Sequence, residues 1–584
     1  MSQPRNGVEG DGVSHAAASP RHSELRIDGR DSRWVLPAVR EADEMQLAAA
    51  LRCSRLLARV LLARGHDAAS ARAYLTGDES LLRQELDDVE PACRRIEAAI
   101  DRNEPILIHG DYDVDGITAA VILRHTLDRL GARAKVFLPH RIEDGYGVSM
   151  RAVSQAVNDG ARLFITADCG ASAAEALAAL QKAGCDSIVA DHHVQDAPVE
   201  AAVAVLNPVK PGSRYPDRDL AAVGVAYKLA LRLLDRKQLP VPALLHAVAA
   251  IGTVGDVAPL RGENREIVRK GLRAIADCGN PGLLGLLHKA QVNVARVRAW
   301  NIAFQIGPRL NAAGRLDHPR KAFDLFFERD PERLRVMLEE IEELNRRRQA
   351  IEGRLAEEAL SLADPQAAVL TLDGEGWDRG VIGIVASRLV ERFHRPVLVI
   401  SRQGEAAYGS ARSVPGVNIV ELLRGASGEL AAFGGHELAA GFSLSSDRIR
   451  ALRERLETAV SLLGERPAPE LRLDAELCWQ DLGFRQAEEL AKMEPFGHGN
   501  PEPLFYIRSV IISQTPRRVG ENGLRTMVRL GNRNIAAIAW RKPGWEGQMA
   551  TEGPVDLAAR LRVSEYQGLR ELELQLEDFR SAGE

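Results

Sequence analysis

Lysine is scarce in this chain: its 584 residues hold ten lysines against 66 arginines. Cysteine is scarce too. The six present (Cys53, Cys93, Cys169, Cys185, Cys278 and Cys478) form no CxxC pair, which argues against a zinc ribbon or a disulfide framework. No apolar run approaches the ~18 residues that cross a bilayer. Met1 to Pro20 lacks the basic and then apolar blocks of a secretion signal, so a cytoplasmic location is expected. There is no GxxxxGK[ST] phosphate loop, which disfavours an ATP-driven motor, and no internal repeat of roughly 20–50 residues. A net charge of −5 argues only weakly against a nucleic-acid partner, because a dense carboxylate site masks basic surface elsewhere. Arginine forks bind phosphate bidentately, although a GC-rich coding bias also enriches arginine.

The content is that of an ordinary soluble protein, 45% hydrophobic and 27% charged, and the length predicts three or four domains. Residues 1–30, rich in Gly, Ser, Ala and Pro near their start, are expected to form a disordered tail. Residues 31–85 read as helical, with Leu47, Leu51, Leu56, Leu57, Val60 and Leu61 at helical spacing. From Pro105, strands and helices alternate. Ile106–Ile108, Ala134–Leu138, Leu163–Ala167, Ser187–Ala190 and Val203–Leu206 read as strands, and Ile117–Leu130 as a helix ended by Gly131. Such βαβ alternation over 86–320 predicts an α/β, doubly wound, mostly parallel sheet. A connecting helix lies within 321–365, with Asp330 as its cap and Pro331 in its first turn. It leads to a second, smaller α/β domain over 366–464. Pro467 and Pro469 mark a linker. Residues 465–584 are rich in short strands (Leu471–Leu477, Leu504–Ser513, Leu524–Leu530, Ile535–Trp540, Leu557–Val563, Glu571–Leu576), which predicts a small C-terminal β-barrel of OB type.

The acids fall at strand ends. Asp111, Asp113 and Asp115 follow the first strand, Asp168 the third, and Asp191, His192 and His193 the fourth. In an open parallel sheet these carboxyl ends converge on one crevice, to which Asp256, after the apolar run Val248–Val254, can add. Each cluster alone fits a helix cap, a turn or a structural histidine pair. Together they concentrate charge that needs cations. An EF-hand is ruled out, since no Glu stands at the twelfth position. Oxygen ligands with one imidazole suit Mn2+ or Mg2+, and a pair of ions ~3.5–4 Å apart needs a bridging carboxylate, for which Asp168 is the natural candidate.

Asp111–Gly116 (DYDVDG), Thr166–Gly170 (TADCG), Asp191–His193 (DHH) and Gly252–Leu260 (GTVGDVAPL) together resemble the motifs of the DHH phosphoesterase superfamily. The likeness runs from about Trp34 to the C-terminus and is greatest to the superfamily's bacterial single-strand-specific 5′-to-3′ DNA exonucleases. The resemblance implies two metal ions held by Asp113, Asp115, Asp168, His192 and Asp256, with Asp111 and His193 as catalytic residues, His193 near the scissile phosphate. It assigns nucleic-acid and phosphate contacts to Arg309, Asn311 and Arg315 in Gly307–Arg315, and to Ser410, Arg412, Gly434, Gly435 and His436 in GSARS and GGH. Gly-rich loops expose N–H groups that suit a terminal phosphate beside an arginine. The superfamily's usual Trp-His is here Trp377-Asp378. In the barrel, Arg517, Arg518, Arg525, Arg529, Arg541 and Lys542 supply charge, and Tyr506, Trp540 and Tyr566 are candidates to stack bases. The implied function is DNA recombination and repair, with single-stranded DNA and single-strand-binding protein as partners. The competing readings are a phosphodiesterase of short oligoribonucleotides or nucleotides, and an inactive replication scaffold.

Overall fold

A computed structural model describes residues 24–582 except 146, 196, 465–468, 521, 543, 550–552 and 567–568. The expected tail therefore falls mostly outside the described residues, as does Pro467 of the linker, but its last part is corrected. β1 (Glu24–Asp28) pairs antiparallel with β2 (Arg33–Pro37). The tail reading failed because β1 is a largely exposed edge strand, whose polar composition resembles a loop. The segment expected to be helical opens on β2 and continues as three short helices, Glu41–Leu51, Arg55–Ala63 and Ala68–Thr76.

The chain divides into two units. The larger comprises residues 78–467 and 495–501. Its first sheet is β3 (Ile106–Gly110), β4 (Ala134–Phe137), β5 (Leu163–Ala167), β6 (Asp186–Ala190) and β7 (Ala204–Leu206), all parallel, in the order β4-β3-β5-β6-β7. Alternate residues serve opposite faces. Ile106, Ile108, Ile165 and Ile188 join a core with the helices Val114–Arg129, Ala222–Arg236 and Ala243–Gly255. Leu107, Phe164, Val189 and Val205 join another core with Met150–Asn158 and Ala174–Lys182. Burial on both faces explains why these strands read as continuous apolar runs.

The connecting helix is Pro331–Leu362, 32 residues, and the Asp330 carboxylate accepts from the Arg333 N–H as predicted. At ~1.5 Å per residue it is about 48 Å long. It packs on Pro281–Lys289 and Gly307–Leu316 in one lobe, and on Ile382–Phe393 and β8 (Leu370–Glu375) in the other. β8, β9 (Val397–Gln403), β10 (Ala406–Arg412), β11 (Ala432–His436) and β12 (Ala439–Ser445) form the second sheet, in the order β11-β12-β10-β9-β8.

The other unit comprises residues 1–77, 468–494 and 502–584. β13 (Glu470–Arg472) runs parallel to β2, whereas β14 (Ala475–Glu476) runs parallel to β15 (Phe505–Ile512). The single strand expected over Leu471–Leu477 is thus two, in different sheets. β16 (Arg517–Val519), β17 (Gly523–Leu530), β18 (Arg533–Trp540), β19 (Val555–Tyr566) and β20 (Leu569–Ser581) follow. The order β14-β15-β19-β20-β18-β17-β16, with a further β15–β17 pairing, closes five strands into a barrel. Trp34, fully buried, donates its indole N–H to Asp578, 2.9 Å away and 544 residues on. Asp578 also accepts from the backbone N–H groups of Asp31 and Ser32.

Candidate metal centre

Three acids continue the parallel ladder one residue past their strands. The Asp111 N–H donates to Ala167 O (3.2 Å), the Asp168 N–H to Ala190 O (3.0 Å) and the Asp191 N–H to Leu206 O (3.0 Å). Strands lie ~4.8 Å apart, so this register sets the acids side by side at the switch point where the strand order reverses. Asp168 adopts φ 68°, a left-handed conformation uncommon outside glycine but more accessible to Asp than to most residues. Gly116 approaches so closely that a Cβ there would lie 2.5 Å from the Asp111 nitrogen, which explains the glycine ending DYDVDG.

The other ligand candidates are fixed by helix ends. Asp113 caps Val114–Arg129, accepting from the Asp115 and Gly116 N–H groups at 3.0 and 3.2 Å. Asp115 takes the first N–H groups of Ala222–Arg236, from Ala222 and Val223, at 2.9 and 2.8 Å. Asp256 closes Ala243–Gly255. His192 lies among them, with Nε2 3.4 Å from Asp168 and Nδ1 3.9 Å from Asp256. Three sets have donor atoms within 4.8 Å of one another: Asp115, His192 and Asp256; Asp111, Asp113 and Asp168; and Asp168, His192 and His193.

The electrostatics fit cations. Burial, then the Asp113 charge, pushes the Asp115 carboxyl up to about 7. Burial and the neighbouring acids push Asp111, Asp168 and Asp256 well above the ordinary carboxylate range. Burial, reinforced by His193, lowers His192 to about 4, so it is neutral, the form that ligates. The buried Oδ1 atoms of Asp111 and Asp168 have no hydrogen-bond partner among the described residues. Unpartnered buried oxygens on clustered acids are the arrangement that divalent ions neutralise.

Asp191 differs from the other acids. It accepts from the N–H groups of Ala171, His192 and His193, and lies 2.8 Å from His193 Nδ1. Burial opposes its ionisation, but the His193 hydrogen bond and charge hold it below the usual carboxylate range. Burial likewise opposes charge on His193, but the Asp191 hydrogen bond together with the charges of Asp191, Asp111 and Asp113 outweighs it, so His193 is raised. Asp191 therefore orients His193.

A cavity of about 300 Å³ is lined by Asp111, Asp113, Asp168, His192, His193 and Asp256 together with Tyr112, Arg141, Asn311, Arg315 and Arg412. Asn311 Oδ1 accepts the Val114 N–H (2.8 Å), and Arg315 donates to Gly380 O (2.8 Å) of the second lobe. Gly314 permits this packing, since a Cβ there would lie 2.2 Å from Tyr112 O. In the second sheet Ser410 pairs with Gly441, which pairs with Gly434, while Arg412 pairs with Ala439, which pairs with His436. Paired residues share a face, so Ser410, Arg412 and His436 stand on one face around the small residues Gly434, Ala439 and Gly441. Gly435 (φ 148°) leaves no room for a side chain, with a Cβ position 2.3 Å from Ala439 O. The His436 ring lies 6.2 Å from that of His193, and Arg412 donates to Ser410 Oγ at 3.0 Å.

Arg309 is a correction. Its guanidinium forks onto Glu342 of the connecting helix (2.8 and 3.2 Å) and binds Gln305 O, and it does not line the cavity. Arg141, stacked over Tyr112 at 4.7 Å, was missed, being one arginine of many in a loop. Asn264 was missed as well. Fully buried, it donates to Asp219 O (2.6 Å) and Pro259 O (3.2 Å) and accepts from the Ala221 N–H (3.3 Å). It thereby ties the segment whose N–H groups hold Asp115 to the turn after Asp256. Asn264→Ala is expected to weaken one bound Mn2+ of two by about 10–100-fold, the range for second-layer contacts. A calorimetric titration checks this, and equal weakening of both ions would contradict it.

Family models match residues 105–253 (DHH family, N-terminal domain), 364–462 (DHHA1 domain) and 473–578 (RecJ OB domain). RecJ of Bacillus subtilis is 32% identical over 94% of this chain and 70% of its own length, and RecJ of Thermus thermophilus 36% identical over 86% and 72%. The chain belongs to the RecJ family. The solved structure of Thermus thermophilus RecJ in complex with Mn2+ aligns with a TM-score of 0.83 at 31% identity, covering 94% of this chain and 80% of that one. Its Mg2+ complex aligns at 0.78. The RecJ assignment bears out the α/β fold and the OB domain, whose side chains can now be placed. Tyr506 is buried and its hydroxyl binds Asp556 (2.9 Å), so it belongs to the core rather than to a stacking face. Trp540 is 47% exposed, and the Tyr566 side chain lies outside the described residues. Arg518 pairs with Glu546, Lys542 with Asp31 and Arg525 with Glu571, and Arg517 stands directly opposite Arg525 on β16 and β17. Among the described residues no helix is long and apolar enough to cross a membrane.

Proposed function

We propose that this chain is a single-stranded-DNA-specific exonuclease that removes nucleotides from the 5′ end with two ions, Mn2+ or Mg2+. The observation that carries the reading is one cavity holding both the carboxylate cluster and Arg412, with the His436 ring beside that of His193. A carboxylate cluster next to the polar groups of Arg412, Ser410 and His436 suits a chain end. The relatives named as single-stranded-DNA-specific exonucleases support it, as do the RecJ complexes with Mn2+ and Mg2+.

When bound, two divalent ions activate water and stabilise charge on the reacting phosphate and its leaving oxygen. Asp113, Asp115, Asp168, His192 and Asp256 hold them, with Asp111 alongside. Arg412, Ser410, His436 and the Gly434–Gly435 backbone hold the terminal 5′-phosphate. Arg141, Arg315 and Asn311 orient the strand behind it. His193, held through Nδ1 by Asp191, contacts the scissile phosphate through Nε2. A cavity of about 300 Å³ suits one nucleotide at a time rather than a duplex. In the barrel, exposed Trp540 with Arg517, Arg525 and Arg529 adds stacking and charge for the strand. This reading carries with it work in recombination and repair and recruitment by single-strand-binding protein.

Digestion with Mn2+ of 5′- and 3′-labelled single strands, duplex and short RNA tests it. Mononucleotides released from 5′-labelled single strands, with 3′ label retained on shortening products, are expected. Hydrolysis of short RNA alone would favour the small-substrate reading, and strand binding without hydrolysis the scaffold. In the same assay Arg412→Ala should lower use of 5′-phosphorylated ends by about 10–100-fold, the worth of a charged hydrogen bond, with strand affinity nearly unchanged. Equal loss of both would leave Arg412 a general phosphate contact.

A further inference from the structure

Trp300 and Phe304 are large aromatic side chains left in water, 56% and 65% exposed. They stand one turn apart, with ring centroids separated by 5.4 Å and planes inclined by 35°. Neither is part of the cavity described above. Adjacent exposed aromatics of this size mark a binding surface more often than a solvated one.

We propose that this pair is a stacking platform for unpaired bases of the strand whose end occupies the metal centre; the proposal rests on the single-strand reading above. Three observations select nucleobases as the occupant. First, the pair belongs to the helical rod that builds the centre. Ala299–Asn301 runs through a π-helical turn, Ile302–Ile306, into Gly307–Leu316, which supplies Asn311 and Arg315. The rod packs against the residue before Asp256, since a Cβ on Gly307 would lie 3.9 Å from Gly255 Cα. Phe304 precedes Asn311 by seven residues, about 10 Å of helix, or roughly two to three nucleotides of strand. Second, the segment's own charge suits a polyanion. None of the 39 residues from Cys278 to Leu316 is acidic, in a chain where acids outnumber bases 81 to 76. Of its basic residues, Lys289 and Arg309 pair with Glu339 and Glu342 of the connecting helix, while Arg298 and Arg296 stand two and four residues before Trp300. Third, every base offers a π-face to an aromatic ring, so such a platform grips a strand without selecting its sequence.

The test uses the full chain, Mn2+ and a 20-nucleotide oligo(dT) carrying a 5′-phosphate. Trp300→Ala and Phe304→Ala should each raise KM about five- to tenfold, as expected for loss of one base stack, with kcat within about twofold, because the contact is the same in ground and transition states. Trp300→Tyr should restore the wild-type KM. Abasic residues at the third to sixth positions should raise the wild-type KM to that of the variants and leave the variants unmoved. An unchanged KM for the Trp300→Ala/Phe304→Ala double variant overturns the proposal and leaves the pair to a protein partner. Equal weakening on base-bearing and abasic strands overturns it too. A wild-type chain that digests no single strand removes the underlying reading, whereas wild-type digestion with unaffected variants removes the platform alone.

Discussion

Asp168→Asn is expected to lower hydrolysis at least about 10³-fold, the worth of several kcal/mol of metal-assisted catalysis. Asp168 belongs to two of the three ligand sets, one with Asp111 and Asp113 and one with His192 and His193, so its loss disturbs both ions. Asparagine tolerates the left-handed conformation that Asp168 adopts, and the backbone should be kept. Burial, then the charges of Asp115 and Asp113, makes the Asp168 carboxylate costly in the ion-free protein. Removing that charge should leave the unfolding temperature in chelator unchanged or higher. Calorimetric titration with Mn2+ and thermal scans in chelator check both halves. Two ions bound at wild-type affinity would dismiss Asp168 as a bridge, and a lowered unfolding temperature would make it a structural residue.

His193→Gln should cost about 10²–10⁴ in kcat, the usual contribution of a positioned proton donor or acceptor, while both ions remain bound. Asp191→Asn should reproduce part of this loss, about 10–100-fold, because Asp191 accepts hydrogen bonds from the His193 backbone and lies 2.8 Å from its Nδ1. His193 also stands in one ligand set, with Asp168 and His192. Loss of one ion in His193→Gln, counted by metal analysis, would therefore move it from the phosphate to the metal.

The metal centre was legible because it obeys a rule of topology. Parallel strands bring their carboxyl ends together, so Asp111, Asp168 and Asp191 could be joined from their positions after Ile108, Ala167 and Ala190. The rows Ser410–Gly441–Gly434 and Arg412–Ala439–His436 were half legible. The small residues and the arginine were visible, but the pairing that puts them on one face is a matter of register. Arg309 was misread because its partner Glu342 lies 33 residues away on the connecting helix, and no local pattern reveals an ion pair at that range. Asn264 escaped for the same reason, since a lone buried amide acquires meaning from Asp219 and Ala221, 45 and 43 residues away. β1 escaped for another: its partner β2 is next in the chain, but its exposed, polar residues carry no strand pattern.

The bond from Trp34 to Asp578 has a consequence for biosynthesis. The 544 residues between them take roughly half a minute to two minutes to synthesise at ~5–20 residues per second. For about four-fifths of that interval, until residue 470 is made, β2 lacks β13, and Trp34 lacks all of Leu473, Leu504, Tyr506 and Ala558, the apolar neighbours of its core. The parallel β3–β7 sheet and its covering helices draw only on residues made earlier, so they can close first on the ribosome. β2 is thus among the last strands to be covered, and a ribosome that stalls before residue 470 leaves Trp34, Val35 and Leu36 open to chaperones and proteases.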